Sequence, residues 1–252
     1  MALIIGSTGF IGRNIIENSP SIEVLDRHLY QLKTKLHTDT LYIAAPSASK
    51  WLVNSNPKED LKNITKLASS INKHIKAEKI IVFSTIDVYT DLSTSTELSK
   101  TLTDISYGGN RRILEKLLSI NECQLYIFRL SGVFGKHLKK NIIYDLLNKR
   151  YSEVGKYNVN SEFQFIEISA TLKTCHELLN KSPGVYNLSS PPIRVSDLLN
   201  SFDWIKDITT IQEKSPIIKY DVKTLYNGDA NYMFNSEEVY ESFEYFRKNY
   251  AN

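Results

Sequence analysis

Several residue types are scarce in this 252-residue chain, and each scarcity closes off a class of protein. There are two cysteines, Cys123 and Cys175. Both lie in apolar-periodic segments without CxxC or Cys/His ligand spacing, so reduced core thiols are expected rather than a disulfide framework. The five histidines, His28, His37, His74, His137 and His176, have no metal-like spacing with acids or thiols, so no metal site is expected. Long apolar runs are missing, which argues against a membrane span. The opening run Ala2 to Ile5 is too short for a signal peptide and is interrupted by Gly6. Charge of one sign is missing too: 31 Lys and Arg stand against 28 Asp and Glu, net +3, and they are interspersed. Without a basic stripe, neither a nucleic-acid nor an anionic-membrane partner is expected. No repeat or low-complexity tract appears. The reduced thiols lead to the expectation of a cytoplasmic protein.

What the chain does have is 42% apolar residues, enough for a sizeable core. Glycine is scarce, ten in all, yet three of the ten fall at 6, 9 and 12. The apolar run Ala2 to Ile5 ends at Gly6, and Phe10, Ile11, Ile15 and Ile16 then recur with helical spacing, which reads as strand, tight turn, helix. Glycines in such a turn let the backbone bend and approach a ligand, and the helix N-terminus favours a pyrophosphate. Asp26 closes a second apolar run, Ile22 to Leu25, twenty positions after Gly6. An acid there can accept the hydroxyls of an adenosine ribose, while Arg27 beside it could pair with a 2′-phosphate, so NAD is expected and NADP is possible.

Strands and helices then alternate. Leu41 to Ala45 reads as a third strand whose small end, Ala44 and Ala45, leaves room for a cofactor. Asn56-Pro57 starts a helix running to about Ile75, and Lys79 to Ser84 reads as a fourth strand. That pattern predicts an α/β fold with a doubly wound parallel sheet of Rossmann type. Ser84 and Thr85 put hydroxyls at the carboxyl edge of the sheet, where ligands sit in such folds. Tyr107 opens an amphipathic helix to about Ile120, and Arg111 stands one turn on, with Glu115 a turn further. A phenol beside a fixed cation has its phenolate favoured, which predicts a lowered pKa and a usable acid/base.

These elements together resemble the extended short-chain dehydrogenase/reductase family, in its NAD-dependent epimerase/dehydratase branch. The resemblance rests on Gly6-Ser7-Thr8-Gly9-Phe10-Ile11-Gly12, Asp26, Ala44-Ala45, Asn56-Pro57 with Asn63, Ser84-Thr85 with Val88-Tyr89, and Tyr107 with Arg111 and Glu115. It continues through Phe128-Arg129-Leu130, Val133-Phe134-Gly135, Phe163 to Ile168 and Gly184-Val185-Tyr186-Asn187-Leu188, up to about residue 200. It implies a cofactor cradle of Gly6, Thr8, Gly9, Phe10, Ile11, Gly12, Asp26, Arg27, Ala44, Ala45 and Ser84, with Tyr107 and Arg111 reaching the nicotinamide half. It further implies Tyr107 as acid/base, Thr85 as its hydrogen-bonding partner, a nucleotide sugar as substrate, and a homodimer built on the helices around 57 to 75 and 106 to 120. For that dimer, Leu114, Leu117 and Leu118 are expected to leave apolar surface to a partner.

Three departures from the family pattern bear on this. Arg111 stands where the family has lysine, keeping the charge but unable to shuttle a proton. Gly132 replaces an asparagine that helps hold the substrate's phosphates, and Ser169 replaces an aspartate. The chain is also shorter than a typical sugar-nucleotide epimerase, so a reduced substrate portion is expected. Residues 1–130 read as the dinucleotide-binding core and 131–252 as a mixed portion that completes the sheet and binds substrate, without a clean boundary. In it, helices are expected over Lys139 to Lys149, Ala170 to Leu179, Val195 to Phe202 and the aromatic tail from Val239 to Tyr250. Strands are expected over Glu162 to Ile166 and Val185 to Leu188, and 203 to 235 reads as irregular. The functional expectation is hydride transfer on a sugar nucleotide by an epimerase, dehydratase or reductase. The alternative is an NAD-binding protein of the same fold without turnover.

Overall fold

A computed structural model describes residues 1–46, 50–120, 122–201 and 215–250. The described residues form two compact units. The first holds residues 1–90, 99–130 and 172–186, the second 91–98, 131–171 and 187–252.

The first unit is built on a parallel sheet. Its strands are β1 (Ala2–Ile5), β2 (Glu23–Val24), β3 (Leu36–Ile43), β4 (Ile75–Thr85) and β5 (Gln124–Leu130), joined at the far edge by β9 (Gly184–Leu188), in the order β2-β1-β3-β4-β5-β9. The pairs β1·β2, β1·β3, β3·β4 and β4·β5 are all parallel. The order reverses between β1 and β3, and in such sheets the crevice at the carboxyl ends of the strands flanking the reversal is the ligand site. Ile5, Ile43 and Val82 lie in register across three strands, so the turn after β1 and the Ala44-Ala45 end after β3 emerge side by side.

Helices cover the sheet because strands buried on both faces carry near-continuous apolar runs. On one face α3 (Pro57–His74) contributes Ile64, Leu67, Ala68 and Ile71, and α4 (Tyr107–Leu118) contributes Leu114 and Leu118, against Leu3, Ile5, Leu41, Ile43, Ile80, Val82 and Ile127. Asn56 caps α3, accepting from the Glu59 N–H, with Pro57 at the first helical position. Phe83, Phe128 and Tyr186 stack on one another across β4, β5 and β9. The two thiols are unpaired, Cys175 buried and Cys123 half-buried.

Several element bounds differ from the sequence expectation. The strand β3 starts at Leu36, not Leu41, because the polar stretch through Thr38 is held to the chain start: Thr38 Oγ1 and the Asp39 N–H both donate to the Met1 carbonyl. The strand β4 starts at Ile75, directly where α3 ends. A short helix, α2 (Lys50–Ser55), precedes α3 and has no signature in the hydrophobic pattern. Leu114 and Leu118, expected to leave apolar surface to a partner, are 2% and 0% exposed, because both point into the core that α4 shares with α3.

In the second unit the expected strand Glu162 to Ile166 is broken into β7 (Glu162–Phe163) and β8 (Phe165–Glu167). The break falls at Gln164, whose buried side chain donates to the Ser190 and Val222 carbonyls at 2.6 and 3.0 Å and accepts the Val222 N–H at 2.9 Å. The strand β8 pairs with β6 (Gly132–Phe134), and β7 with β10 (Ile193–Arg194). A Cβ at Gly132 would lie 2.8 Å from the Gln164 carbonyl oxygen, so the position where the family has asparagine is closed here by strand packing. The expected helix at Lys139 to Lys149 is confined to Ile142–Leu147, capped by Asn141, and the one at Val195 ends at Asn200. Phe202 lies outside the described residues. The C-terminal helix, α9 (Ser236–Tyr250), seats Phe243 and Phe246 against Phe134 at ring distances of 4.4 and 6.1 Å.

Candidate active site

The glycine turn after β1 has the geometry a dinucleotide needs. Gly6 has φ +97°, a left-handed conformation L side chains rarely adopt, and a Cβ there would lie 2.5 Å from the Ala44 carbonyl. The turn and the end of β3 therefore meet at the point where the strand order reverses, and the small Ala44 and Ala45 are half-buried beside it. Gly12 serves packing: a Cβ there would stand 2.0 Å from the Gly6 carbonyl oxygen, so α1 (Phe10–Asn18) can lie on the turn only without one. Gly9 caps α1 with no side-chain hydrogen bond and no acid in the first turn, and Thr8 and Gly9 are exposed. The unsatisfied N–H groups of that first turn, with Phe10 and Ile11 half-buried among them, suit an anion.

Asp26 sits over this turn with φ 32°. Its Oδ1 accepts the N–H groups of Gly6 and Ser7 at 2.7 and 3.0 Å, and its Oδ2 accepts the Ser7 hydroxyl. A carboxylate has about four acceptor sites, so three are used and one remains on Oδ2. That leaves room for one ribose hydroxyl, where the sequence suggested both. Arg27 next to it is exposed. The turn, the bare helix end and the remaining Asp26 lone pair fit the adenosine pyrophosphate half of a dinucleotide.

Thr85 ends β4 and Tyr107 begins α4, whose N-cap Ser106 accepts the Gly109 N–H at 3.2 Å. The structure brings the two together: the Thr85 hydroxyl is near enough to the Tyr107 phenol to favour its phenolate form. The Tyr107 N–H donates to Asn54 Oδ1 at 3.1 Å, which ties the start of α4 to α2. Tyr107 is 7% exposed.

Arg111 lies over the Tyr107 ring, 4.7 Å from its centroid. Its guanidinium is turned to α3, where Asp60 accepts from its two terminal nitrogens at 2.9 and 3.4 Å. Asn110 donates to the same Asp60 at 2.8 Å. The lowered phenol pKa expected from Arg111 is not the outcome. Burial pushes Tyr107 above its ordinary value, outweighing the downward pull of Arg111; Asp87 adds to the rise, while Lys50 and the Thr85 hydroxyl oppose it.

Ser84 has a different partner from the cofactor the sequence suggested. Its hydroxyl donates to Glu115 Oε1 at 2.5 Å. Glu115 is fully buried and also accepts from Arg129 at 3.1 and 2.6 Å and from Arg112 at 3.2 Å, while Arg129 reaches the Tyr89 hydroxyl at 2.8 Å. Sequence reasoning placed Glu115 on the Tyr107 side of α4 but missed this charged network behind it. It also missed Lys50, Asp60 and Asp87: Asp60 stands in the first turn of the predicted helix at Pro57 and Asp87 just past a predicted strand end, while Lys50 opens the unpredicted α2.

No family model matches the chain, and no curated protein matches it in sequence. Solved structures do match it in shape. MoeE5 in complex with UDP-glucose and NAD superposes with a TM-score of 0.72 at 14% identity, covering 98% of this chain and 97% of that one. The chain shares its Rossmann-type α/β fold with that structure. A UDP-N-acetylglucosamine 4-epimerase from Methanobrevibacter ruminantium M1, in complex with UDP-N-acetylmuramic acid, gives the same TM-score, 0.72, at 15% identity over 98% and 96% of the two chains. UDP-glucose 4-epimerase from Thermotoga maritima, with UDP-glucose, gives 0.65 at 15% identity over 98% and 97%. At these identities the likeness establishes the shared fold alone.

Proposed function

We propose that the chain is an NAD-dependent enzyme acting on a sugar nucleotide, as an epimerase, dehydratase or reductase. The observation that carries this reading is the gathering of Thr85 at the end of β4, Tyr107 at the start of α4 and Arg111 over the Tyr107 ring, at the carboxyl edge of the same sheet that bears the glycine turn. In this reading Gly6, Thr8, Gly9, Phe10, Ile11 and Gly12 cradle the pyrophosphate, Asp26 takes one ribose hydroxyl, and Ala44 and Ala45 leave space for the dinucleotide. Ser84 stiffens the wall through Glu115. NAD, when bound, supplies the hydride acceptor and donor. Tyr107 takes the proton of a sugar hydroxyl or returns it, and Thr85 orients the oxygen between them. Arg111 stabilises the phenolate as a fixed charge against the ring and closes the nicotinamide side. The bound ligands of the first two solved structures, a nucleotide sugar in each and NAD in one, support the substrate class.

The same reading includes a cytoplasmic location, consistent with the reduced thiols, and a homodimer through α3 and α4. No helix among the described residues is long and apolar enough to cross a membrane.

Titration with both dinucleotides and assay against UDP-sugars test the reading together. NAD should bind more tightly than NADP, because the Asp26 carboxylate repels a 2′-phosphate. Tyr107→Phe should abolish turnover, a loss of at least about a hundredfold, and leave NAD affinity nearly unchanged. Tighter binding of NADP would overturn the cofactor preference. NAD binding with no conversion of any nucleotide sugar would favour the alternative, a cofactor-binding protein without turnover.

A further inference from the structure

The cation over the Tyr107 ring cannot exchange a proton. Arg111 is 5% exposed, its guanidinium is engaged by Asp60, and a guanidinium stays charged throughout the working pH range. A second ion pair acts on the same phenol. Lys50, the first residue of α2, places its ammonium 2.7 Å from Asp87 Oδ1; the lysine is half exposed and the Asp87 side chain 15% exposed. Asp87 is fixed by the end of β4. Its N–H donates to Thr85 Oγ1 at 3.2 Å, and the Thr85 hydroxyl reaches its Oδ2 at 3.4 Å. The main chain of α4 also packs on it so closely that a Cβ at Gly108 would stand 1.9 Å from the Asp87 carbonyl oxygen. Asn54 ties α2 to the N–H of Tyr107 itself.

We propose that Lys50 and Asp87 are positioning residues for Tyr107, with Lys50 a second cation of the site and Asp87 the carboxylate that holds it there. This rests on reading Tyr107 as the acid/base. A lysine ammonium is a compact charge on a flexible stem, so it keeps a fixed place only where a partner holds it. Asp87 is that partner, paired with Lys50 and itself tied to Thr85 at the end of β4. The charged groups that act on the phenol are then Arg111 from α4, with Asp60 of α3 behind it, Asp87 from the end of β4, and Lys50 from α2. The pull of Lys50 toward the phenolate agrees with this placement, and Asp87 opposes it.

The test is a carbon-13 NMR titration of the protein labelled at tyrosine Cζ, without cofactor, with the Tyr107 signal assigned from Tyr107→Phe. Asp87→Asn leaves Lys50 unopposed, so the Tyr107 midpoint should fall by about one pH unit. Adding Lys50→Met to Asp87→Asn should bring it back up, whereas adding Lys50→Arg should keep it low. If Asp87→Asn and the double variant with Lys50→Met titrate together, the proposal is overturned. Should Asp87→Asn fail to fold, Lys50→Met alone should raise the midpoint and Lys50→Arg alone should not; equal behaviour of the two overturns the proposal. No cofactor enters this measurement, so a failure to bind NAD sinks the dehydrogenase reading separately and is distinguishable from a failure here.

Discussion

At the scale of single residues, Arg111 departs furthest from what its spacing suggests. Four positions after Tyr107 on a helix, it is bound to share a face with the phenol, and it does lie against the ring. The direction of its guanidinium is set by Asp60, far off in the chain and 2.9 Å away in space because α3 packs on α4. Both members of that pair are largely out of water, with side-chain exposures of 5% and 11%. Removing one partner of a buried pair leaves the other uncompensated, which costs about 3 kcal/mol. Arg111→Met is therefore expected to lower unfolding stability in urea by about that amount, with Asn110 still donating to Asp60 and softening the loss. A variant as stable as the parent would show that Asp60 does not depend on Arg111.

In the proposed reading, the element that decides cofactor binding is the β1 turn with α1. Its three glycines are readable in the sequence, but their separate tasks are not. Gly6 supplies a backbone conformation, and Gly12 supplies the absence of an atom. Gly12→Ala would drive a Cβ into the Gly6 carbonyl oxygen and the Ser7 backbone, at 2.0 and 2.9 Å, where no flexible side-chain end can give way. Overpacking of this kind costs about 1–3 kcal/mol. The substitution should lower the melting temperature and, because the displaced turn is the pyrophosphate cradle, weaken NAD binding by about tenfold or more. Calorimetric titration of the folded variant reads both; unchanged affinity would place the dinucleotide elsewhere. The short elements were the least legible. The helix α2 is six residues of mixed character and is defined by its tertiary tie to Tyr107, and β3 extends into a polar stretch because the chain start pairs with it.

For the whole molecule, the assembly prediction changes with burial. Leu114 and Leu118 belong to the core and the half-buried Leu117 packs against it, so Ile113 is the half-buried apolar side chain of α4 outside that cluster, while the outward positions of α3 include Lys58, Glu59, Lys62 and Lys66. A dimer through these helices would therefore be more polar than the leucine pattern implied, and polar interfaces are weakened by salt. Sedimentation at micromolar concentration should find a dimer whose dissociation increases between low and high ionic strength. A monomer in low salt would overturn the homodimer.

The amino-acid sequence by itself determined the alternation of strand and helix, the parallel sheet, the glycine turn with Asp26 at the end of the second strand, and the sharing of one helix face by Tyr107 and Arg111. Each of these follows from local periodicity or from a residue's own conformational limits, which neighbours in the chain suffice to express. Tertiary structure alone decided the electrostatics around Tyr107. Whether the phenol is tuned up or down depends on its burial, on Arg111, and on Asp87 and Lys50, which come from two other parts of the chain. The same holds for Ser84, whose hydroxyl goes to Glu115 because α4 brings that carboxylate to the end of β4. Charge–charge effects act through space and desolvation depends on what covers a group, so neither is written in the spacing of residues along the chain.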